Sequence, residues 1–275
     1  MNHAIPVLMH HHVTPHQGLV TVSPDMFEQQ IRWLSKRGYQ SITCAQFVDF
    51  LQGKPIPSKS VLITFDDGYL DNYVYAYPIL RQYQMHAVLF IVTGWIGDGT
   101  PRAYYQGIED AALPECPNHR RCMMALKENE ADEVMLRWSE IEVMQNDGTF
   151  EFHSHTHTHT RWDKVFAANR QNKREGLMND LLQAQSRLME KLGQESHHLC
   201  WPQGYYDQDY IEIALALGYR YLYTVNKQIN DRTSDPLKIG RVVIKNKVNP
   251  WFASRMWLYG SAWLGKAYLA LRGTT

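Results

Sequence analysis

The sequence predicts an α/β fold in which a parallel sheet, wound with helices, forms a barrel as a single domain with one inserted loop region. Three observations predict it. The apolar runs at 61–65 and 86–92 are continuous rather than alternating, as expected of strands buried on both faces. Helical patterns fall between such runs along most of the chain, which is the signature of parallel pairing. The run at 61–65 stops abruptly in Asp66, Asp67 and Gly68, at the strand end where folds of this class place their sites. A chain of 275 residues suits one barrel domain.

A short strand at 5–9 runs into His10, His11 and His12; one of the three can serve a site, and a surface cluster is the alternative. Ser23 and Pro24 open a helix whose buried stripe is Phe27, Ile31 and Leu34 and which Gly38 ends. Thr43 and Gln46 read as a capping box for a second helix carrying Phe47, Phe50 and Leu51. The acidic strand follows. Residues 73–83 read as a helix kinked near Pro78, and 86–92 as the next strand. Residues 94–136, with their glycines, prolines and a charged stretch, break the rhythm and read as an insertion on the rim of a site. Gly94, Gly97 and Gly99 fit no phosphate-loop spacing. Ser139 starts a helix that ends near Gly148, and a strand from Thr149 leads into His153-Ser-His155-Thr-His157-Thr-His159. A polar connector, 161–174, precedes a long amphipathic helix through Leu177, Leu181, Leu188 and Leu192. A strand at 198–201, a turn through Pro202, Gln203 and Gly204, a helix capped by Asp207, and strands at 221–225 and 239–244 complete the domain, 1–248. In the aromatic helical segment 249–275, Phe252, Met256, Tyr259 and Trp263 share one helical face. It is too interrupted by charge to span a bilayer; packing on the barrel is the expectation and an interfacial helix the alternative.

Composition excludes some classes. Hydrophobic residues at 44% and charged residues at 20% describe a globular chain. A formal net charge of +0 argues against a nucleic-acid partner held by bulk electrostatics. The aromatic content suits sugar-stacking faces and a large core equally. Cys44, Cys116, Cys122 and Cys200 give no disulfide framework, and Cys116, His119 and Cys122 are a weak alternative zinc set. Residues 1–13 lack a basic stretch followed by a long apolar one. The expectation is therefore a cytoplasmic protein, with peripheral contact at the inner membrane face through 250–271 as the alternative to packing on the barrel.

The histidine cluster makes a geometric demand. On an extended strand His155 and His159 would stand roughly 13 Å apart, too far to share an ion with bonds of about 2.1 Å. If they share a metal, the chain must turn after His155. Asp67 then completes a two-histidine, one-carboxylate set with open positions for water and substrate. The other carboxylate of the pair is left to face a water or the substrate.

These residues resemble a known family. Thr64-Phe65-Asp66-Asp67-Gly68 resembles the first motif of the polysaccharide deacetylases, the NodB-homology or carbohydrate esterase family 4 enzymes. His155-Thr156-His157-Thr158-His159 is similar to their second motif, His-Ser/Thr-x-x-His, and Trp201-Pro202-Gln203-Gly204 to the third. Pro6 to His12 resembles the N-terminal strand of the branch that deacetylates poly-N-acetylglucosamine. The resemblance spans about 5–244. It implies a distorted (β/α) barrel of the NodB type and metal-dependent removal of N-acetyl groups from amino sugars, in a polysaccharide or a lipid-linked saccharide such as a lipopolysaccharide core. By motif position Asp66 is the general base and His11 the general acid. Asp67, His155 and His159 hold a divalent metal, with zinc first and nickel, cobalt or iron as alternatives. Trp201, Pro202, Gln203, Gly204 and Tyr205 contact the sugar, and a backbone N–H near Gln203 meets the oxyanion.

The chain departs from the family at several points. His153 and His157 satisfy the second motif too, but Glu151-Phe152-His153-Ser154 matches its lead-in and favours His155 and His159. Cys200 stands where many members carry an arginine that pairs with the base, and Arg241 is the expected replacement. Gln203 replaces an aromatic and His10 a tyrosine. The changes at Cys200 and Gln203 motivate a second reading, a carbohydrate-binding protein with a degenerate site. A third is an esterase for O-acetyl groups.

Overall fold

The structure, a computed structural model, describes residues 3–107 and 113–271. Its strands are β1 (Val7–His10), β2 (His12–Val13), β3 (Thr21–Val22), β4 (Gln40–Ser41), β5 (Ser60–Asp67), β6 (Ala87–Ile91), β7 (Phe150–Ser154), β8 (His198–Cys200), β9 (Tyr221–Tyr223) and β10 (Val242–Val243). The main sheet runs β10-β1-β5-β6-β7-β8-β9, with β4 beside the start of β5, and its pairings are parallel. The segment from Ile239 to Ile244 bonds to both ends of this order. Thr224 N donates to Ile239 O, Ile239 N to Leu222 O, and Ile244 N to Met9 O. The sheet thereby curls into a distorted, incompletely closed barrel.

Side-chain alternation inside the apolar runs builds two layers. Val61, Ile63 and Phe65 of β5 pack outward with Phe27, Ile31 and Leu34 of α1 (Pro24–Lys36). Leu62 packs inward with Val7, Val88, Phe90, Cys200 and Tyr223. Thr64 and Asp66 continue the inward column, so the first carboxylate emerges at the C-terminal mouth of the barrel. Both predicted caps form: Ser23 Oγ accepts Met26 N, and Thr43 and Gln46 bond reciprocally at the start of α2 (Cys44–Leu51).

Several elements differ from expectation. The kink near Pro78 is a π-helical turn, Asn72–Ala76, leading into α3 (Tyr77–Gln82). The insertion is not featureless: it carries α4 (His119–Lys127), capped by Asn118, and α5 (Ala131–Val134). The next helix, α6 (Trp138–Asn146), begins ahead of Ser139. Glu140 accepts from Arg137 N there and forms a buried ion pair with Arg102. The polar connector 161–174 is largely helical, as α7 (Trp162–Val165) and the first turn of α8 (Arg170–Leu192). Asn169 caps α8, and Arg170, Lys173 and Arg174 converge on Asp209 of α9 (Gln208–Ala216). The last segment is two helices, α10 (Asn249–Tyr259) and α11 (Ala262–Leu271), broken at Gly260. Phe252, Met256 and Tyr259 join the main core, whereas Trp263, expected on the same face, falls beyond the break and is 67% exposed. Among the described residues, no helix is long and apolar enough to cross a membrane.

Candidate metal centre and active site

The end of β5 splits the two carboxylates. Asp66 keeps the extended geometry of the strand, while Asp67 has φ +75° and Gly68 φ +92°. The turn sends Asp67 to one side of the mouth and leaves Asp66 on the inward column.

Asp66 is 2% exposed and gripped by Arg241. Nη1 donates to Oδ1 at 2.6 Å and Nη2 to Oδ2 at 2.7 Å. Arg241 is itself buried and fixed, with Nε donating to Thr224 O and Nη1 also to Thr64 Oγ1. Arg241 Nη2 lies 3.0 Å from Cys200 Sγ, so the replacement expected at this position is in place. Burial would raise the Asp66 carboxyl, but the guanidinium holds it below the usual carboxylate range.

The histidine segment turns as a shared ion requires, through a loop rather than a helix. β7 ends at Ser154, and Thr156 and His159 take φ of +68° and +57°. Asp180, on the buried face of α8, accepts from His157 N and Thr158 N at 2.9 and 2.8 Å, and from Trp162 Nε1. Thr156 Oγ1 accepts from His159 N. His155 and His159 then face Asp67: their Nε2 atoms lie 3.3 and 3.6 Å from its Oδ1. His155 Nδ1 donates to Cys200 O, which fixes its tautomer and leaves Nε2 for a ligand. His157 turns away to Thr93, and His153 sits deeper in the barrel beside Ser196. His153 and His157, the alternative register, therefore do not converge on a shared point.

These three residues fit a divalent cation. Two bonds of about 2.1 Å at a tetrahedral angle place ligand atoms about 3.4 Å apart, close to the observed spacing. Asp67 Oδ1 is buried and has no hydrogen-bond partner among the described residues, a costly state unless something positive sits there. The neighbouring imidazoles hold the Asp67 carboxyl well below its ordinary value against the effect of burial. Burial lowers His159 to about 4, so it stays a neutral ligand. The other candidate set, Cys116, His119 and Cys122, does not converge; the two thiols bond to the Pro114 and Pro117 carbonyls.

The remaining predicted residues separate. A cleft of about 220 Å³ opens over the cluster, lined by His11, Trp201, Gln203, Gly204 and Arg241 among others. Pro202 and Tyr205 do not line it. Pro202 is buried, and Tyr205 packs on Tyr210 beneath the Arg161 guanidinium. Gly204 N and Tyr205 N are committed to turn bonds with Trp201 O and Pro202 O. His11 Nε2 is 3.8 Å from Asp66 Oδ2, and burial lowers its pKa although Asp66 and Asp67 oppose the shift. The other two histidines of the triplet are no surface cluster. His10 is buried against Phe27 and Phe65, and His12 is fully buried.

His12 belongs to a chain of groups that the sequence did not reveal. Its Nδ1 donates to Asp71 Oδ2 at 2.6 Å, and its Nε2 lies 3.1 Å from Nδ1 of His119. With His12 neutral, His119 Nδ1–H is the donor, so the His119 Nε2 lone pair is left for the cleft that His119 lines. Trp95 also reaches the cleft from the insertion and packs on His159 at 5.2 Å between ring centroids. Gly94 permits that approach: its N–H meets His157 O, and a Cβ there would stand 2.5 Å from the same oxygen.

Comparison with known proteins is consistent with this architecture. The family profile for polysaccharide deacetylase matches residues 53–222. A Bacillus subtilis (strain 168) chain named for polysaccharide deacetylases, YxkH, is 43% identical over 94 residues, 34% of this chain and a third (33%) of its own length. The poly-beta-1,6-N-acetyl-D-glucosamine N-deacetylase of Staphylococcus aureus (strain MSSA476) is 24% identical over 229 residues, covering 82% of this chain and 68% of that one. Among solved structures, the Streptococcus pyogenes deacetylase PplD in complex with acetate superposes with a TM-score of 0.71 at 21% identity, over 93% of this chain and 99% of that chain. With the matched profile covering more than half its residues, this chain belongs to the polysaccharide deacetylase family.

Proposed function

We propose that the protein removes the N-acetyl group from an acetylated amino sugar of a glycan, in a reaction that depends on a divalent cation held by Asp67, His155 and His159. The observation that carries this reading is the buried, unpartnered Asp67 Oδ1 between two imidazole nitrogens, with a second carboxylate clamped alongside. The name of the S. aureus relative supports a poly-N-acetylglucosamine-like substrate. The imidazole and carboxylate ligands favour zinc, with nickel, cobalt and iron as alternatives. When bound, the cation supplies a Lewis acid for the acetyl carbonyl and acidifies a water.

The chain's own groups handle the protons. Asp66, kept ionised by Arg241, accepts the proton of the attacking water. His11 is neutral at rest, so the proton it delivers to the leaving nitrogen must arrive during turnover; Asp66 Oδ2 at 3.8 Å is positioned to pass it on. The degenerate-site reading loses one of its two motives, because Arg241 supplies the charge that Cys200 lacks.

Acetate release from N-acetylglucosamine oligomers tests the proposal. Release is expected with added zinc, to vanish after chelation, and to return on adding metal back. Release from O-acetylated sugars alone would transfer the site to the esterase reading, and binding without release would leave only carbohydrate recognition. His119→Ala is expected to raise KM about fivefold with kcat little changed, as suits one lost hydrogen bond from a substrate hydroxyl worth about 1 kcal/mol. An unaltered KM would remove His119 from the substrate site.

A further inference from the structure

The barrel interior holds a second cluster of ligand-type side chains, at the end opposite the catalytic mouth. A layer of aromatic side chains separates the two. Phe90 and Tyr223 pack at 4.7 Å between ring centroids, with Arg241 on one side of them and His153 and His198 on the other. Cys44, at the start of α2, His153 of β7 and His198 of β8 each present a ligand atom, all within 4.8 Å of one another. We propose that Cys44, His153 and His198, with Glu151 as a fourth ligand, form a second cation site of the zinc type, structural rather than catalytic.

The hydrogen bonds around His153 point to this assignment. Ser196 Oγ donates its proton to His198 O, so it can only accept from His153 Nδ1, at 2.9 Å. A neutral His153 therefore turns the bare lone pair of Nε2 inward. That atom is buried and has no hydrogen-bond partner among the described residues. Glu151 Oε2, another acceptor, lies 3.9 Å from it. Two acceptors facing each other at that distance repel unless a cation or a proton lies between them. The other oxygen of Glu151 is already used, accepting from Cys44 N with His86 Nε2 3.5 Å away. Burial drives His198 well below its ordinary pKa, so it stays a neutral ligand, and its Nδ1 reaches the Tyr223 hydroxyl.

The donor set matches the chemistry of zinc. One thiolate, two imidazoles and one carboxylate make a closed tetrahedral shell, and the two negative charges balance the cation. Burial and Glu151 hold the Cys44 thiol protonated in the metal-free protein, so binding releases its proton to solvent. Glu151 and His86 are 24% and 17% exposed and mark the entry from this end of the barrel.

Cobalt(II) titration of the metal-free, full-length protein tests the proposal without reference to activity. Two equivalents are expected to bind, with a thiolate-to-cobalt charge-transfer band in the near ultraviolet from one of them. Cys44→Ser should remove the band and one equivalent. His155→Ala should remove an equivalent and keep the band, and Cys200→Ser should keep both. His153→Gln, which retains Cys44, provides a second route to losing the band should Cys44→Ser fold poorly by circular dichroism. A single equivalent with no charge-transfer band in the wild-type protein would overturn the site. A band that survives Cys44→Ser would overturn it equally.

Discussion

Asp66→Asn is expected to lower kcat by about a thousandfold or more while leaving metal binding at the catalytic mouth intact. The amide has nearly the shape of the carboxylate but cannot take a proton from water, and a positioned base contributes about 10² to 10⁴ in rate. Asp67, His155 and His159 do not depend on Asp66 for their positions. Asp67 is turned aside by its own backbone, and the histidine loop is pinned by Asp180. The substitution does disturb the Arg241 fork, because only one of the two atoms facing the guanidinium then accepts. A stability loss should therefore accompany the rate loss, and rates are to be compared on protein shown to be folded. Acetate release and metal content, measured on the same preparation, check the expectation. Retention of a tenth or more of wild-type kcat with full metal content would remove Asp66 from the role of base.

Much of this arrangement was legible because it is local in sequence. The apolar runs and their abrupt ends located β5 and β7. The incompatibility of an extended strand with a shared ion required a turn after His155, and the structure supplies one. The inward column Leu62, Thr64, Asp66 follows from alternation once the strand is placed. What sequence alone left out depends on packing between distant segments. Asp180 was legible in principle: it sits three residues after Leu177 and one before Leu181 on the buried stripe of α8, where an acid must have donors to satisfy. The Asp71–His12–His119 chain carried no such signal, since its members come from the first strands, the π-helical turn and the insertion. The family resemblance around Trp201 puts Pro202 and Tyr205 at the sugar site as well. The chain turns sharply at Gln203, with φ of +55°, and carries Tyr205 away from the cleft. Helical periodicity puts Trp263 on the face of Phe252, Met256 and Tyr259, but that periodicity loses its phase at the break after Tyr259.

Arg241→Met is expected to destabilise the protein by about 3–5 kcal/mol, the usual cost of leaving one partner of a buried ion pair uncompensated. Both side chains qualify: Arg241 is 0% and Asp66 3% exposed, and the bond is a two-pronged fork that methionine cannot imitate. The dependence on pH identifies the cause. In the wild-type protein the folded-state pKa of Asp66 lies below its unfolded value, so its stabilisation is present above the unfolded pKa and is lost as pH falls through the folded one. Without the guanidinium, only the weaker pull of His155 and His11 opposes burial, and the carboxyl is expected to rise above its ordinary value. The charged form then costs stability at neutral pH, and the deficit shrinks as acid protonates Asp66. Urea unfolding of the metal-free variant and wild type should show a larger difference at pH 8 than at pH 5. The acid limb of kcat/KM should move to higher pH in the variant, because the base must lose its proton before it can act. A deficit equal at both pH values, with an unmoved acid limb, would mean that Arg241 contributes packing alone, and that some other group keeps Asp66 ionised.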